Sequence, residues 1–114
     1  MPYKTVEYIE NGKSPFAEWF NGLDPVAAAR VDRYIRRMES GNFGAAKRLR
    51  EGVLELRLDI GPGYRVYFAL AYKNVVVILG GGDKKRQSSD IAIAVERWRC
   101  LKRRGGCDGL NERV

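Results

Sequence analysis

The feature that most constrains the fold of this chain is a change in hydrophobic period about halfway along it. Between residues 25 and 38, apolar side chains recur every three or four positions, which is typical of one buried face of an α-helix. In residues 53–60 and 64–71, the larger apolar side chains instead fall on alternate positions, which is typical of β-strands. Because both periods occur in one short chain, the sequence predicts a mixture of helices and strands rather than an all-helical or all-β fold.

Capping signals predict where the N-terminal elements begin. Residues 3–9 are rich in β-branched and aromatic side chains and end at an Asn-Gly turn, so they are expected to form a strand. Ser14-Pro15 and Asp24-Pro25 each place an N-cap residue before a proline at the first helical position, which predicts two successive helices. The second helix is expected to bury one stripe, made of Ala27, Val31, Tyr34, Ile35 and Met38.

The C-terminal half is expected to contain a three-stranded meander and a third helix. Residues 75–79 are apolar at every position, as in a central strand, and the glycines at 80–82 indicate the exit from that strand. Ser88, Ser89 and Asp90 are alternative N-caps of the helix that follows. Its apolar stripe contains Ile91, Ala94, Val95, Trp98 and Leu101.

These elements predict an α+β fold in which a small antiparallel β-sheet packs one face against two N-terminal helices and a C-terminal helix, and leaves the other face to solvent. A chain of 114 residues has room for one domain, which is expected to span residues 1–104. Residues 105–114 have little to bury, so they are expected to form a flexible tail.

Charge is unevenly distributed along the chain. The net charge is +7, and residues 84–104 alone carry eight Lys and Arg against two Asp and Glu. A cationic surface attracts polyanions, of which nucleic acid is the commonest in a cell. An acidic protein partner, or solubility alone, would account for the same charge.

Composition excludes several classes of enzyme and of location. The chain has no histidine, so Ser-His and Cys-His nucleophile pairs are excluded. Cys100 and Cys107 cannot complete a tetrahedral zinc site, and we expect both to be free thiols and the protein to bind no metal or cofactor. No apolar run reaches membrane-spanning length and the first residues lack a signal-peptide core, so a cytoplasmic protein without membrane contact is expected.

The second face of the predicted meander gathers polar side chains. Glu55 and Arg57 on one strand share this face with Arg65 and Tyr67 on the next, and Lys84 follows the last strand. Such a face suits a phosphodiester: arginines bind its oxygens, a carboxylate accepts a proton from a ribose 2′-hydroxyl, a tyrosine stacks on a base and a lysine stabilises the leaving oxygen. The alternative is an ordinary solvated sheet face with cross-strand ion pairs.

Six short motifs lie in a fixed order between residues 55 and 98. They are Glu-Leu-Arg at 55–57, Gly-Tyr-Arg-Val-Tyr-Phe at 63–68, Gly-Gly-Asp-Lys at 81–84, Gln87, Asp-Ile at 90–91 and Trp98. Together they resemble the HigB-like toxins of the RelE/ParE superfamily, which belong to type II toxin–antitoxin systems. The resemblance covers roughly residues 3–102 and implies a RelE-like fold.

The resemblance implies a toxin that is a metal-independent endoribonuclease, cleaving messenger RNA, usually in the ribosomal A site, by attack of a ribose 2′-oxygen on the adjacent phosphate. It assigns Arg65 to the transition-state phosphate, Arg57 to the RNA backbone and Lys84 to the basic group after the last strand. Val53 and Glu55 stand where the best-known members carry lysines. Some relatives use a glutamate as the base on this strand, and we therefore expect Glu55 to be the base.

Further contacts to RNA are expected from the basic connector before the meander, from the strand face and from the start of the third helix. Gln87 and Asp90 stand near the place of a terminal tyrosine or histidine that other members carry and this chain lacks. The expected RNA-binding residues are Lys47, Arg48, Arg50, Tyr67, Lys85, Arg86, Gln87 and Asp90.

The resemblance also implies the partners: messenger RNA, the ribosome and a cognate helix-turn-helix antitoxin, through which alone the chain would contact operator DNA. Two alternatives stay open. The same fold serves ParE-like inhibitors of DNA gyrase, and an inactive toxin would act only as an antitoxin-binding module.

Overall fold

The structure is a computed structural model that describes residues 2–104 and the backbone of residues 110–112. Its elements are, in chain order, β1 (Lys4–Tyr8), α1 (Pro15–Asn21), α2 (Pro25–Glu39), β2 (Lys47–Arg48), β3 (Val53–Arg57), β4 (Arg65–Ala71), β5 (Val75–Gly82), a 3₁₀ turn (Lys84–Arg86), α3 (Gln87–Arg103) and β6 (Leu110–Glu112).

The strands form one sheet in the order β2-β3-β4-β5-β1-β6. Strands β2 to β5 are antiparallel neighbours, whereas β1 runs parallel to β5, with Val6 opposite Val77. The predicted α+β class is confirmed, but the sheet is mixed rather than purely antiparallel. The parallel pair is β1 and β5. They can lie side by side because the chain between them, which forms α1, α2 and the preceding strands of the meander, is long enough to return to β1.

The C-terminal segment falls partly outside the described residues. The backbone of Leu110–Glu112 pairs antiparallel with β1. The predicted flexible tail otherwise concerns residues 105–109 and 113–114, which lie outside the described residues, as does Cys107, whereas Cys100 is a free thiol.

Helices cover both faces of the sheet. On one face, α1 and α2 bury Phe16, Val31 and Ile35 against the β3–β4–β5 side chains that include Leu56 and Phe68. On the other face, α3 buries Ala94, Val95 and Leu101 against Val53, Ala69 and Val77. The predicted solvent-exposed sheet face is therefore wrong: the apolar stripe of α3 must itself be buried, and the second face of the sheet is the surface that buries it.

The N-terminal caps are confirmed. The Ser14 hydroxyl oxygen accepts a hydrogen bond from the Ala17 N–H, and the Asp24 carboxylate accepts one from the Ala27 N–H, each at 3.0 Å. The third helix begins earlier than the predicted caps at residues 88–90, because Asp83 caps a preceding 3₁₀ turn through the Arg86 N–H and the helix continues directly from it at Gln87. None of the helices in residues 2–104 has the length and apolar character needed to cross a bilayer.

The glycines at 80–82 belong to β5 rather than to its exit, and each admits a side chain from a covering helix. A Cβ on Gly81 would overlap the Trp19 ring of α1, and a Cβ on Gly82 would overlap an Asp90 carboxylate oxygen of α3. On Gly80, a Cβ would lie 2.8 Å from Arg97 Nη1. A β-bulge opposite Tyr67 and Phe68 inserts one extra residue into β5 just before these glycines.

Candidate active site

The polar side chains of the meander lie in two adjacent rows across the sheet. In the strand register, Arg57 of β3 lies opposite Arg65 of β4, and Arg65 lies opposite Gly82 of β5. In the next row, Glu55 of β3 lies opposite Tyr67 of β4. Both rows lie at the end of the sheet where β5 leads into α3. The structure therefore brings together the four strand residues that the sequence predicted to share a face.

Glu55 is the centre of this cluster and is completely buried. One carboxylate oxygen accepts a hydrogen bond from Arg57 Nε at 3.2 Å, and the other accepts one from Gln87 Nε2 at 2.8 Å. Arg65 Nε lies 3.6 Å from the second oxygen. The expected ion pairs are present, but the expectation of a solvated face is wrong, because α3 begins directly above Glu55 and removes it from water.

Arg65 is held rigidly, whereas Arg57 reaches solvent. The Arg65 side chain is 7% exposed and its Nη1 donates to the Gly63 carbonyl at 2.7 Å. Gly63 has a φ of 77°, which favours glycine, and a Cβ there would crowd Arg65 Nη1 at 3.2 Å. The Arg57 side chain is 52% exposed.

Arg57 and Arg65 line a cleft of about 320 Å³ beside the Gly63 turn. Lys84 approaches the same turn from the end of β5: its N–H donates to the Pro62 carbonyl at 3.3 Å, and its Cβ lies 3.3 Å from where a Gly63 Cβ would stand. Two guanidinium groups at a single open cleft, with the backbone of Lys84 anchored at the adjoining turn, form an arrangement suited to a phosphate.

Tyr67 is 1% exposed, so the prediction that it lies on an open face and stacks on an RNA base is wrong. Its hydroxyl makes no hydrogen bond of good geometry within the described residues, although the Glu55 carboxylate is close. Burial first, and the negative charge of Glu55 second, raise the pKa of Tyr67 far above its usual value of 10.0. The hydroxyl therefore stays protonated beside the carboxylate.

The other expected RNA-binding residues are dispersed around this centre. Lys47 pairs with Glu55 across β2 and β3 and is exposed at the sheet edge, whereas Arg48 pairs with Leu54, whose side chain packs on the opposite face. Arg50 lies exposed beyond β2, and Lys85 and Arg86 lie exposed on the 3₁₀ turn. Gln87 contacts Glu55 directly.

Asp90 lies outside the phosphate cleft, in a second cavity of about 360 Å³ between α1 and α3. Trp19, Gly82, Arg86 and Arg97 also line this cavity. The sequence did not predict that Trp19 and Arg97 line a cavity; the glycine triplet, which makes room for both side chains, was the signal for it.

Because the pKa of the Asp90 carboxyl is shifted, we expect the free energy of unfolding to depend on pH. Burial raises its pKa above the ordinary value of 3.8, with Arg86 opposing and Asp83 adding to the shift. The folded protein thus binds this proton more tightly than the unfolded chain, and the stabilisation is complete below pH 3.8 and is lost as pH rises through the raised pKa. We expect Asp90→Asn to melt at a higher temperature than wild type at pH 7, and at nearly the same temperature at pH 3, in calorimetric scans. Equal differences at both pH values would contradict this.

Residues 2–104 contain no group of three or more Cys, Asp or Glu side chains arranged to hold a metal ion.

Comparison with known proteins agrees with the fold. The family described as "Phage derived protein Gp49-like (DUF891)" matches residues 18–99. An uncharacterised protein of Haemophilus influenzae is 42% identical over 80 residues, which are 69% of this chain and 81% of that protein. A free-state double mutant of the Escherichia coli toxin RelE superposes with a TM-score of 0.65 at 18% identity, over 85% of this chain and 98% of RelE. The RelE-like fold inferred from the motifs is thereby confirmed.

Proposed function

Because the chain belongs to the phage-derived Gp49-like family and has the fold of the RelE toxin, we propose that it is the toxin of a type II toxin–antitoxin system and acts as an endoribonuclease on messenger RNA in the ribosomal A site. The observation that carries this proposal is the cleft lined by Arg57 and Arg65, beside the turn to which the backbone of Lys84 is hydrogen-bonded. The fold alone also suits a protein-binding poison, but such a protein has no need of two arginines, one of them buried, at one cleft.

In the proposed reaction, the scissile phosphate lies between Arg57 and Arg65, and their N–H groups bind its nonbridging oxygens. The ribose 2′-oxygen attacks phosphorus as its proton passes to a base, the bond to the 5′-oxygen breaks, and Lys84 stabilises the charge on that leaving oxygen. The leaving oxygen takes a proton from water, and the products are a 2′,3′-cyclic phosphate and a 5′-hydroxyl end.

Glu55 is the proposed base, and because it is buried, a side chain must move before RNA can reach it. Gln87 lies directly on the Glu55 carboxylate, so the ribose reaches that carboxylate only when the Gln87 side chain swings aside. Gln87 is half-buried at the first position of α3, where a side-chain rotation leaves the helix backbone intact. Until then, Glu55 positions the two arginines.

The exposed cations beyond the cleft fit the proposed partners. Lys85, Arg86, Lys102 and Arg103 are exposed along the 3₁₀ turn and α3. Such a surface attracts ribosomal RNA or the acidic part of an antitoxin. In the proposal, the antitoxin is the helix-turn-helix protein that connects the toxin to operator DNA.

Arg57→Ala is expected to reduce cleavage by about 10- to 100-fold, because it removes one charge-assisted contact to the phosphate. The measurement is primer extension on messenger RNA programmed into ribosomes and incubated with the purified protein. Arg33→Ala is the matched control: Arg33 is an exposed arginine of α2 and is expected to leave cleavage unchanged.

Two results would overturn the proposal. If folded wild type leaves ribosome-bound messenger RNA intact while inhibiting DNA supercoiling by gyrase, the protein is a gyrase poison. If it affects neither reaction but binds the product of a neighbouring gene, it is a binding module.

A further inference from the structure

Two large apolar side chains are exposed at the end of β4 that lies away from the arginine cleft. Leu70 is 42% exposed, and Tyr72, two positions later in the turn to β5, is 86% exposed. β3 begins at Val53, opposite Ala69, so no residue of that strand lies beside Leu70. Apolar side chains that are exposed side by side, rather than scattered singly, indicate a surface that a partner covers.

The turn that carries Tyr72 has a fixed backbone. Ala71 lies opposite Val75, so residues 72–74 alone connect β4 to β5, and two of them, Lys73 and Asn74, have positive φ values of 63° and 59°. The Lys4 N–H donates a hydrogen bond to the Asn74 carbonyl at 3.1 Å, which fastens the turn to β1. A partner that binds here therefore does not have to order the backbone of the turn.

More apolar surface and two cations adjoin these side chains. Leu54 of β3 is half-buried on the same face of the sheet as Leu70, and it lies opposite the residue two positions before Leu70. Arg48 is exposed on the edge strand opposite Leu54. The Lys73 Nζ lies 5.9 Å from the centre of the Tyr72 ring. We call Leu54, Leu70 and Tyr72, together with Arg48 and Lys73, the hairpin surface.

Two carboxylates at this end of the sheet are already engaged within the protein. Glu39 accepts a hydrogen bond from the Thr5 hydroxyl, and Glu51 forms an ion pair with Arg99 on α3. They are therefore held away from the two cations of the hairpin surface, which is an apolar strip with a positive margin. Its electrostatic complement is an apolar strip with a negative margin.

We propose that the hairpin surface binds an amphipathic helix of a partner protein, one that carries acidic side chains beside its apolar stripe. Four residues of β4 separate the level of Leu54 from Tyr72, which is about 13 Å. Positions i and i+7 of one helix face lie about 10.5 Å apart, so two turns of helix cover this strip. A nucleic acid would satisfy the cations but leave the two leucines uncovered.

The hairpin surface is separate from the arginine cleft. Leu70 and Arg65 are five positions apart on β4, or about 17 Å. The inference therefore goes beyond the proposed nuclease reaction and does not depend on it.

The test is a titration of the full-length, ¹⁵N-labelled protein followed by amide chemical shifts. The probe is a helical peptide of about 20 residues with leucine at every third or fourth position and glutamate and alanine between them. Its twin carries lysine in place of glutamate. We expect the glutamate peptide to shift the amides of Leu70, Tyr72 and Lys73, and to bind more tightly than the lysine peptide.

Tyr72→Ser is expected to weaken binding of the glutamate peptide at least about fivefold, because an exposed tyrosine at the centre of an interface is a frequent hot spot. Val26→Ser is the matched control: Val26 is 70% exposed on α2, and its loss is expected to leave the affinity unchanged. Both side chains are largely exposed, so both variants are expected to fold. Equal weakening by the two substitutions would contradict the assignment.

Three other results would overturn the inference: shifts confined to the arginine cleft or to α3, equal binding of the two peptides, or no binding. A parallel titration with oligouridine tests the nucleic-acid alternative, which holds if oligouridine moves the hairpin amides and the glutamate peptide does not. Cleavage of ribosome-bound messenger RNA is measured separately, so a wild-type protein that cleaves but does not bind the peptide disproves this inference alone.

Discussion

Glu55→Ala is expected to lower the free energy of unfolding by about 3–5 kcal/mol, the usual cost of removing one partner from a buried charge cluster. The carboxylate is completely buried and accepts hydrogen bonds from Arg57 and Gln87. Without it, Arg65, whose side chain is 7% exposed, becomes a buried cation with no compensating charge beside it. Urea unfolding followed by circular dichroism measures the loss.

Glu96→Ala is the matched control for this result. Glu96 forms ion pairs with Arg99 and Arg103 on the surface of α3, and its side chain is 60% exposed. Exposed pairs of this kind contribute about 0–1 kcal/mol. If Glu55→Ala and Glu96→Ala unfold at the same urea concentration, Glu55 does not organise the site as described.

Gly81→Ala has the second largest expected effect, a loss of about 3 kcal/mol of stability, at the upper end of what overpacking a core costs. The added Cβ would overlap three atoms of the Trp19 ring, and that ring also packs at 5.9 Å from Phe16 and at 5.7 Å from Tyr64. Phe16 and Tyr64 therefore oppose movement of the Trp19 ring away from an added Cβ. Thermal unfolding at neutral pH measures the change.

Gly22→Ala is the matched control: it makes the same substitution three residues after Trp19, and no loss of stability is expected. Gly22 has a φ of −86°, and a Cβ there would lie 3.5 Å from the Trp19 carbonyl oxygen, an ordinary contact. Because alanine restricts the unfolded chain, this variant is expected to match or slightly exceed wild type. If Gly81→Ala is equally stable, α1 does not pack on β5 through Trp19.

The local elements of the fold could be predicted because their signals are local. The Ser14 and Asp24 caps, each followed by a proline, determine two helix starts within four residues of sequence. The stripe of α2 was confirmed at Ala27, Val31 and Ile35, which are buried. The parallel pairing of β1 with β5 could not be predicted, because it joins segments about 70 residues apart and depends on the path of everything between them.

The site, like the fold, could be predicted where local geometry determines it and not where distant contacts do. The alternation in β3 and β4 correctly placed Glu55, Arg57, Arg65 and Tyr67 on one face, because side-chain direction follows directly from strand geometry. Their burial could not be predicted. A charged side chain is predicted to be exposed unless its partner is known. The partner that covers Glu55 is Gln87, which lies 32 residues away in the sequence.

The anchoring of Arg65 to the Gly63 carbonyl determines when its conformational entropy is lost. Immobilising a long side chain costs about 1.5–2 kcal/mol, and Arg65 incurs that loss when the protein folds rather than when a phosphate arrives. Arg57 donates to Glu55 but its side chain is half-exposed, and Lys84 is exposed, so both keep freedom that a bound phosphate would remove. We therefore expect Arg65 to set where the phosphate binds, and its two exposed neighbours to close on the phosphate afterwards.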